Sequence, residues 1–181
     1  MRRRIPLAVT TLALLAATAG GAVQPGDADP SSHPPTVVYL VRHAEKAAHG
    51  PDPELTPQGR ERAAALAEIL AEAGIGRILS TDTRRTRDTA APLARALDLP
   101  VEIYDAGDLE AVADELSGLA GAIVLVVGHS NTTPALVELL GGEPGPPIDE
   151  VGEYDRLYRV ELPSGRTTVE RFDVVSIPVG R

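Results

Sequence analysis

Three short stretches of this 181-residue chain carry side chains suited to handling a phosphoryl group. Tyr39-Leu40-Val41-Arg42-His43-Ala44-Glu45 sets an arginine and a histidine at the end of an apolar run. Ser80-Thr81-Asp82-Thr83-Arg84-Arg85-Thr86-Arg87-Asp88-Thr89-Ala90 sets arginines after a second run, and Val126-Val127-Gly128-His129-Ser130 sets a histidine after a third. Arginine suits phosphate because its planar fork gives paired hydrogen bonds and stays charged. A neutral imidazole can attack phosphorus when its other ring nitrogen is held by an acceptor. Neighbouring strands would bring these groups to one carboxyl edge of a sheet, where open α/β sheets bind ligands. Neither a metal-ligand spacing nor a glycine-rich nucleotide loop is present, so no metal and no cofactor are expected. A nucleophilic histidine among arginines explains the set better than metal-assisted hydrolysis.

The elements that must position these residues follow from periodicity. Residues 36–41 form a continuous apolar run of β-formers, as in a strand buried on both faces. After a polar loop (46–54), Leu55-Thr56-Pro57-Gln58-Gly59 opens a helix that Thr56 can cap and whose first turn suits Pro57. Ala63, Leu66, Ala67 and Leu70 give that helix one apolar face. The spacing predicts further strands at 77–80, 100–104 and 122–127, and further helices at 84–97, 109–119 and from 132 or 133 to 140. Strand and helix alternate four times, which calls for a three-layer α/β/α sandwich around a mostly parallel sheet. Residues 155–162 and 167–175, joined by Pro163-Ser164-Gly165-Arg166, predict a C-terminal antiparallel hairpin on the sheet edge. The Pro- and Gly-rich stretch 141–147 is expected to border the site.

The start of the chain has a different character. Met1-Arg2-Arg3-Arg4, an apolar core and Ala17-Thr18-Ala19 have the layout of a secretory signal peptide over residues 1–19. The rival reading is an uncleaved amino-terminal membrane anchor. Residues 20–35 are expected to be a disordered linker, leaving one domain at 36–181. Cysteine is absent, which excludes disulfides and lipid attachment at cysteine. With aromatics at only 3%, the core must be built from Ala, Leu, Val and Ile. The formal charge is −9, and loss of the leader's arginines would leave 14 of the 17 basic residues against 26 acids, or −12. That balance argues against nucleic acid and anionic membrane as partners. After cleavage no stable membrane insertion is expected. Surface acids beyond a Debye length of about 8 Å do not forbid a phosphate pocket.

On these residues the chain resembles the histidine phosphatase superfamily, the phosphoglycerate-mutase-like fold. The family's Arg-His-Gly-Glu motif stands here as Arg42-His43-Ala44-Glu45, with alanine for glycine. Its Leu-Thr-x-x-Gly opening is similar to Leu55 through Gly59, and its Ser-Ser-x-x-x-Arg-Ala-x-x-Thr-Ala segment to Ser80 through Ala90. Gly128-His129 matches its late Gly-His. The order of the four matches is also the family's. The resemblance implies that His43 is the nucleophile, forming a phosphohistidine that water hydrolyses. It implies that Arg42 and Arg85 bind the phosphoryl oxygens and that His129 completes the pocket.

A general acid is less legible. Larger relatives draw one from the loop after the third strand, where this chain offers Asp105 and Asp108. Asp105 is the candidate, since Asp108 serves equally as a helix cap. Glu45 is divided between orienting the substrate and a structural role. Arg84 and Arg87 are expected to make helix-surface ion pairs with Asp82 and Asp88. The reading is therefore an exported, secreted or periplasmic, metal-independent phosphatase acting on a phosphorylated small molecule or phosphoprotein. A non-catalytic phosphate- or phosphoprotein-binding module of the same fold is the alternative, and mutase activity fits an exported chain poorly.

Overall fold

The computed structural model describes residues 34–172. The expected leader, the expected linker except Pro34 and Pro35, and positions 173–175 of the expected hairpin lie outside the described residues. The elements run β1 (Thr36–Arg42), α1 (Pro57–Leu70), β2 (Arg77–Ser80), α2 (Arg84–Leu97), β3 (Val101–Ile103), α3 (Leu109–Ser117), β4 (Ile123–Gly128), α4 (Thr132–Leu139), β5 (Arg156–Leu162) and β6 (Arg166–Arg171). The strands form one six-stranded sheet in the order β3-β2-β4-β1-β5-β6. The first four are mutually parallel, and β5 and β6 continue the sheet antiparallel. The fold is the α/β/α sandwich expected from the sequence, with the hairpin added beside β1.

Pleating divides the apolar residues of the central strands between two layers. Val38, Leu40, Val124 and Val126 pack with Val112 and Leu116 of α3 and Leu136 and Val137 of α4. Val41, Leu125 and Val127 pack with Leu66 and Leu70 of α1 and Leu93 and Ala94 of α2. That is why β1 and β4 are continuously apolar: neither face meets water. The outer strand β6 is charged and exposed, which discourages further pairing at that edge.

The elements differ from the sequence expectation mainly at their ends. Strand β3 covers only Val101–Ile103, and α3 stops at Ser117, where the Gly118 amide donates to Asp114 O at 3.0 Å. The loop at 141–147 turns toward β5, since Pro144 O and Pro146 O accept from Arg156 Nη1 at 3.3 and 2.7 Å. The following segment, 149–154, is the one that reaches the carboxyl edge of the sheet.

Insertion of β4 between β1 and β2 decides where the site forms. Arg42 is paired with Gly128, and Ser80 with Val127. The next residues, His43, Thr81 and His129, therefore leave three adjacent strands at the same level.

Candidate active site

His43 is buried, and its Nδ1 donates to Ala44 O at 2.8 Å. The carbonyl only accepts, so the proton sits on Nδ1 and Nε2 keeps its lone pair. Burial first, and then the nearby Arg42, Arg85 and His129, lower the His43 pKa from 6.5 to about 3, against the Ala44 bond that raises it. The ring is therefore neutral near pH 7, as a nucleophile must be.

The backbone around His43 is held from three directions. His43 N–H donates to Gly128 O at 2.9 Å, Ala44 N–H to Thr89 Oγ1 at 3.0 Å and Thr56 N–H to Glu45 O at 2.9 Å. Thr56 also caps α1, accepting the Gly59 amide at 3.0 Å. A Cβ on Gly59 would lie 2.2 Å from Glu45 O, so only glycine lets the helix start come this close. Gly128 is constrained in the same way: a Cβ there would stand 2.8, 2.9 and 3.0 Å from the Tyr104, Thr132 and Thr133 hydroxyls. The Ala44 methyl packs with Leu55 and Ala63. Alanine is thus accommodated where the family pattern has glycine.

His129 lies beside His43, with ring centroids 5.5 Å apart. Its Nδ1 is 3.4 Å from Arg85 Nη2, and its Nε2 is 3.0 Å from Thr81 Oγ1. Burial, then Arg85 and Arg42, lower its pKa from 6.5 to about 4. Arg42 is buried at the end of β1 and stacks 4.1 Å from the Tyr154 ring centroid. Its Nη1 donates to Asp149 O and Glu153 O at 3.1 and 2.9 Å, and its Nη2 to Glu150 O at 2.8 Å. Arg42 thereby fastens segment 149–154 beside the imidazoles, with Tyr154 6.1 Å from the His43 ring.

Among the described residues, the buried side-chain nitrogens and oxygens without a hydrogen-bond partner are two: Arg42 Nε and Arg85 Nε. Buried donors normally find acceptors. Two positive forks, each with an open N–H, beside two neutral imidazoles make a site matched to a compact oxyanion.

The other predicted residues stand elsewhere. Glu45 takes two oxygens to Arg62, with Arg62 Nη2 2.7 Å from Oε1, and both side chains are largely buried. Its carboxylate is thus held in a largely buried ion pair with Arg62. Asp105 accepts the Gly107 amide at 2.8 Å and lines a separate cavity with Arg77, Glu102 and Asp108. Asp108 caps α3 through the Ala111 amide at 3.1 Å. Arg84 pairs with Glu54 and Asp88, and Arg87 with Asp82. Four residues that the sequence reading did not single out support the site: Asp52, Thr81, Thr89 and Tyr154. Asp52 accepts the Arg84 amide with both oxygens, at 2.8 and 3.1 Å, and lies 3.9 Å from Arg85 Nη1. It caps α2 in place of Thr83, which makes no side-chain cap. Thr81 and Thr89 lay within a motif already visible, whereas Tyr154 had no local signal.

A family model, the histidine phosphatase superfamily (branch 1), matches residues 38–106. Among solved structures, the chain is similar to a mycobacterial glucosyl-3-phosphoglycerate phosphatase at 18% identity and TM-score 0.59, over 75% of this chain and 97% of that one. It is similar to the protein histidine phosphatase SixA complexed with tungstate at 25% identity and TM-score 0.58, over 74% of this chain and 94% of that one. The mycobacterial enzyme in complex with VO3 aligns at 19% identity and TM-score 0.54, over 75% and 98% of the two chains. No curated protein sequence matches this chain.

Proposed function

We propose that the chain is a histidine phosphatase, as the family model over residues 38–106 and the phosphatases among its structural neighbours support, and that it hydrolyses phosphomonoesters through a phosphohistidine on His43. The observation that carries this reading is the pair of open Arg42 and Arg85 Nε–H donors around a histidine whose Nδ1 is tied to Ala44 O. In the first step His43 Nε2 bonds to phosphorus while the bond to the leaving-group oxygen breaks, its electron pair leaving with that oxygen. In the second step water attacks the same phosphorus, the P–N bond breaks, Nε2 regains its lone pair, and the proton the water gives up to solvent balances the one the departed oxygen takes from it.

The residues divide this work. Arg42 and Arg85 hold the equatorial oxygens, where loss of one such contact typically lowers turnover by a factor of about 10²–10³. His129 faces the transferring group from β4. The two guanidinium groups supply the charge that a metal would otherwise provide, which supports a metal-independent mechanism. The acid that protonates the leaving group is not Asp105 in this reading, because Asp105 lines a separate cavity with Arg77, Glu102 and Asp108. Substrates with stable leaving groups are accordingly favoured. The leader-like start of the sequence supports export, and no helix among the described residues is long and apolar enough to cross a membrane.

Brief incubation of the protein with a labelled aryl phosphate, followed by denaturation above neutral pH and peptide mapping, should place the label on His43. Undiminished hydrolysis by His43→Ala would overturn the mechanism.

A further inference from the structure

His129 is the one site group whose two ring nitrogens both meet polar side chains. Nδ1 faces Arg85 Nη2 at 3.4 Å, and a guanidinium can only donate, so Nδ1 must present its lone pair. The proton of the neutral ring then sits on Nε2, 3.0 Å from Thr81 Oγ1. The threonine is ready to receive it. Its own hydroxyl donates to Thr86 Oγ1 at 3.0 Å, and the Thr86 hydroxyl donates onward to Thr81 O or Thr83 O, each at 2.9 Å. Thr83 Oγ1 adds a bond to Thr86 Oγ1 at 2.8 Å. Thr81 and Thr86 are 3% and 0% exposed, so water does not compete for this chain of hydroxyls.

We propose that Thr81 is a positioning residue: its hydroxyl holds the resting proton of His129 on Nε2, so that binding of a phosphoryl dianion loads a second proton onto Nδ1. The inference rests on the phosphoryl pocket proposed above. A phosphoryl oxygen that takes over Arg85 Nη2 confronts the Nδ1 lone pair, and two acceptors repel. A proton on Nδ1 converts that repulsion into a charge-assisted hydrogen bond. It comes from solvent or from a monoanionic substrate, with no other bond made or broken.

The charges around the ring agree with this. Arg42 and the neutral His43 ring face it from β1, and Arg85 from α2. Tyr104 brings a hydroxyl beneath Gly128, Thr132 of α4 accepts the His129 amide at 2.9 Å, and Asp52 lies beyond Arg85. The close charged partners are thus two arginines, and burial together with them lowers the free ring to about 4. A bound dianion reverses the sign of that local field. Sequence position alone hides this role, because Thr81 stands where the family pattern has an ordinary serine.

Imidazole nitrogen NMR on the unmodified protein near neutral pH tests it directly. The free protein should show His129 in the Nε2–H form, and saturation with inorganic phosphate should protonate both nitrogens. An Nδ1–H form in the free protein, or a neutral His129 in the phosphate complex, would overturn the proposal. Calorimetry above neutral pH, in buffers of different ionisation enthalpy, should show proton uptake with phosphate binding. Thr81→Val should abolish that uptake and weaken phosphate binding about tenfold, the equivalent of one buried hydrogen bond. Thr81→Ser should restore both, and unchanged uptake in Thr81→Val would sink the idea. Phosphate binding without uptake removes this inference alone; no phosphate binding by the wild type removes the pocket reading as well.

Discussion

Thr89 Oγ1 accepts the Ala44 amide at 3.0 Å and donates to Arg85 O at 2.7 Å, so one buried hydroxyl joins the His43 loop to the helix that carries Arg85. His43 and Arg85, 42 positions apart in the chain, are set relative to each other by this residue. Thr89→Val keeps the shape and leaves the buried Ala44 N–H without an acceptor. The expected cost is about 1–3 kcal/mol of stability, together with a fall in kcat for the molecules that remain folded. Urea unfolding and steady-state kinetics on the same preparation check both. Wild-type behaviour in each would show that the hydroxyl does not hold the loop.

Glu45 and Arg62 form a largely buried pair, and Arg62 Nη1 also donates to Phe172 O at 2.9 Å. Glu45→Gln leaves the guanidinium charge without its counter-ion. Removing one partner of a buried pair costs about 3 kcal/mol or more, so a clear drop in the unfolding midpoint is expected. Activity per folded molecule should stay near wild type. A large loss of kcat/KM at unchanged stability would instead return Glu45 to the site.

Arg42→Lys preserves a positive charge and loses the planar fork. Three carbonyl acceptors, Asp149 O, Glu150 O and Glu153 O, then lose their guanidinium donor, and Tyr154 loses the planar group stacked on it. Activity should fall by a factor of about 10² or more. Segment 149–154 should also become more open to a glutamate-specific protease. Digestion at an unchanged rate would separate Arg42 from the order of that segment.

Both site imidazoles titrate below 6.5, His43 near 3 and His129 near 4. Between those values and 6.5 the unfolded chain binds more protons than the folded one, so stability rises with pH across that window. It is fully present above about 6.5 and is lost as the pH falls toward 4 and then 3. Each histidine contributes a slope of about 1.4 kcal/mol per pH unit where it is neutral folded and charged unfolded. Unfolding midpoints measured across the weakly acidic range, above ordinary carboxylate titration, isolate this contribution. His129→Asn should reduce the slope by roughly half, and a flat profile in the wild type would contradict neutral, buried imidazoles.

Local pattern determined much of this protein. Continuous apolar runs at β1 and β4 announce strands covered on both faces, because an exposed face would have demanded alternation. Arg42, His43, Arg85 and His129 could be picked out because each stands at or shortly after the end of an apolar strand, and the ends of parallel strands share one edge. The Glu45 and Asp105 assignments show where this reasoning stops. A carboxylate near a motif in sequence has no direction until packing supplies its partner, Arg62 in one case and the Gly107 amide in the other. Only the tertiary structure, by seating β4 between β1 and β2, set His129 against His43 and Thr81 beneath it. Only the return of the chain after α4 brought three carbonyls and Tyr154 onto Arg42, over a separation of more than 100 residues. Contacts between such distant segments depend on loop paths and close packing, and neither leaves a period in the sequence.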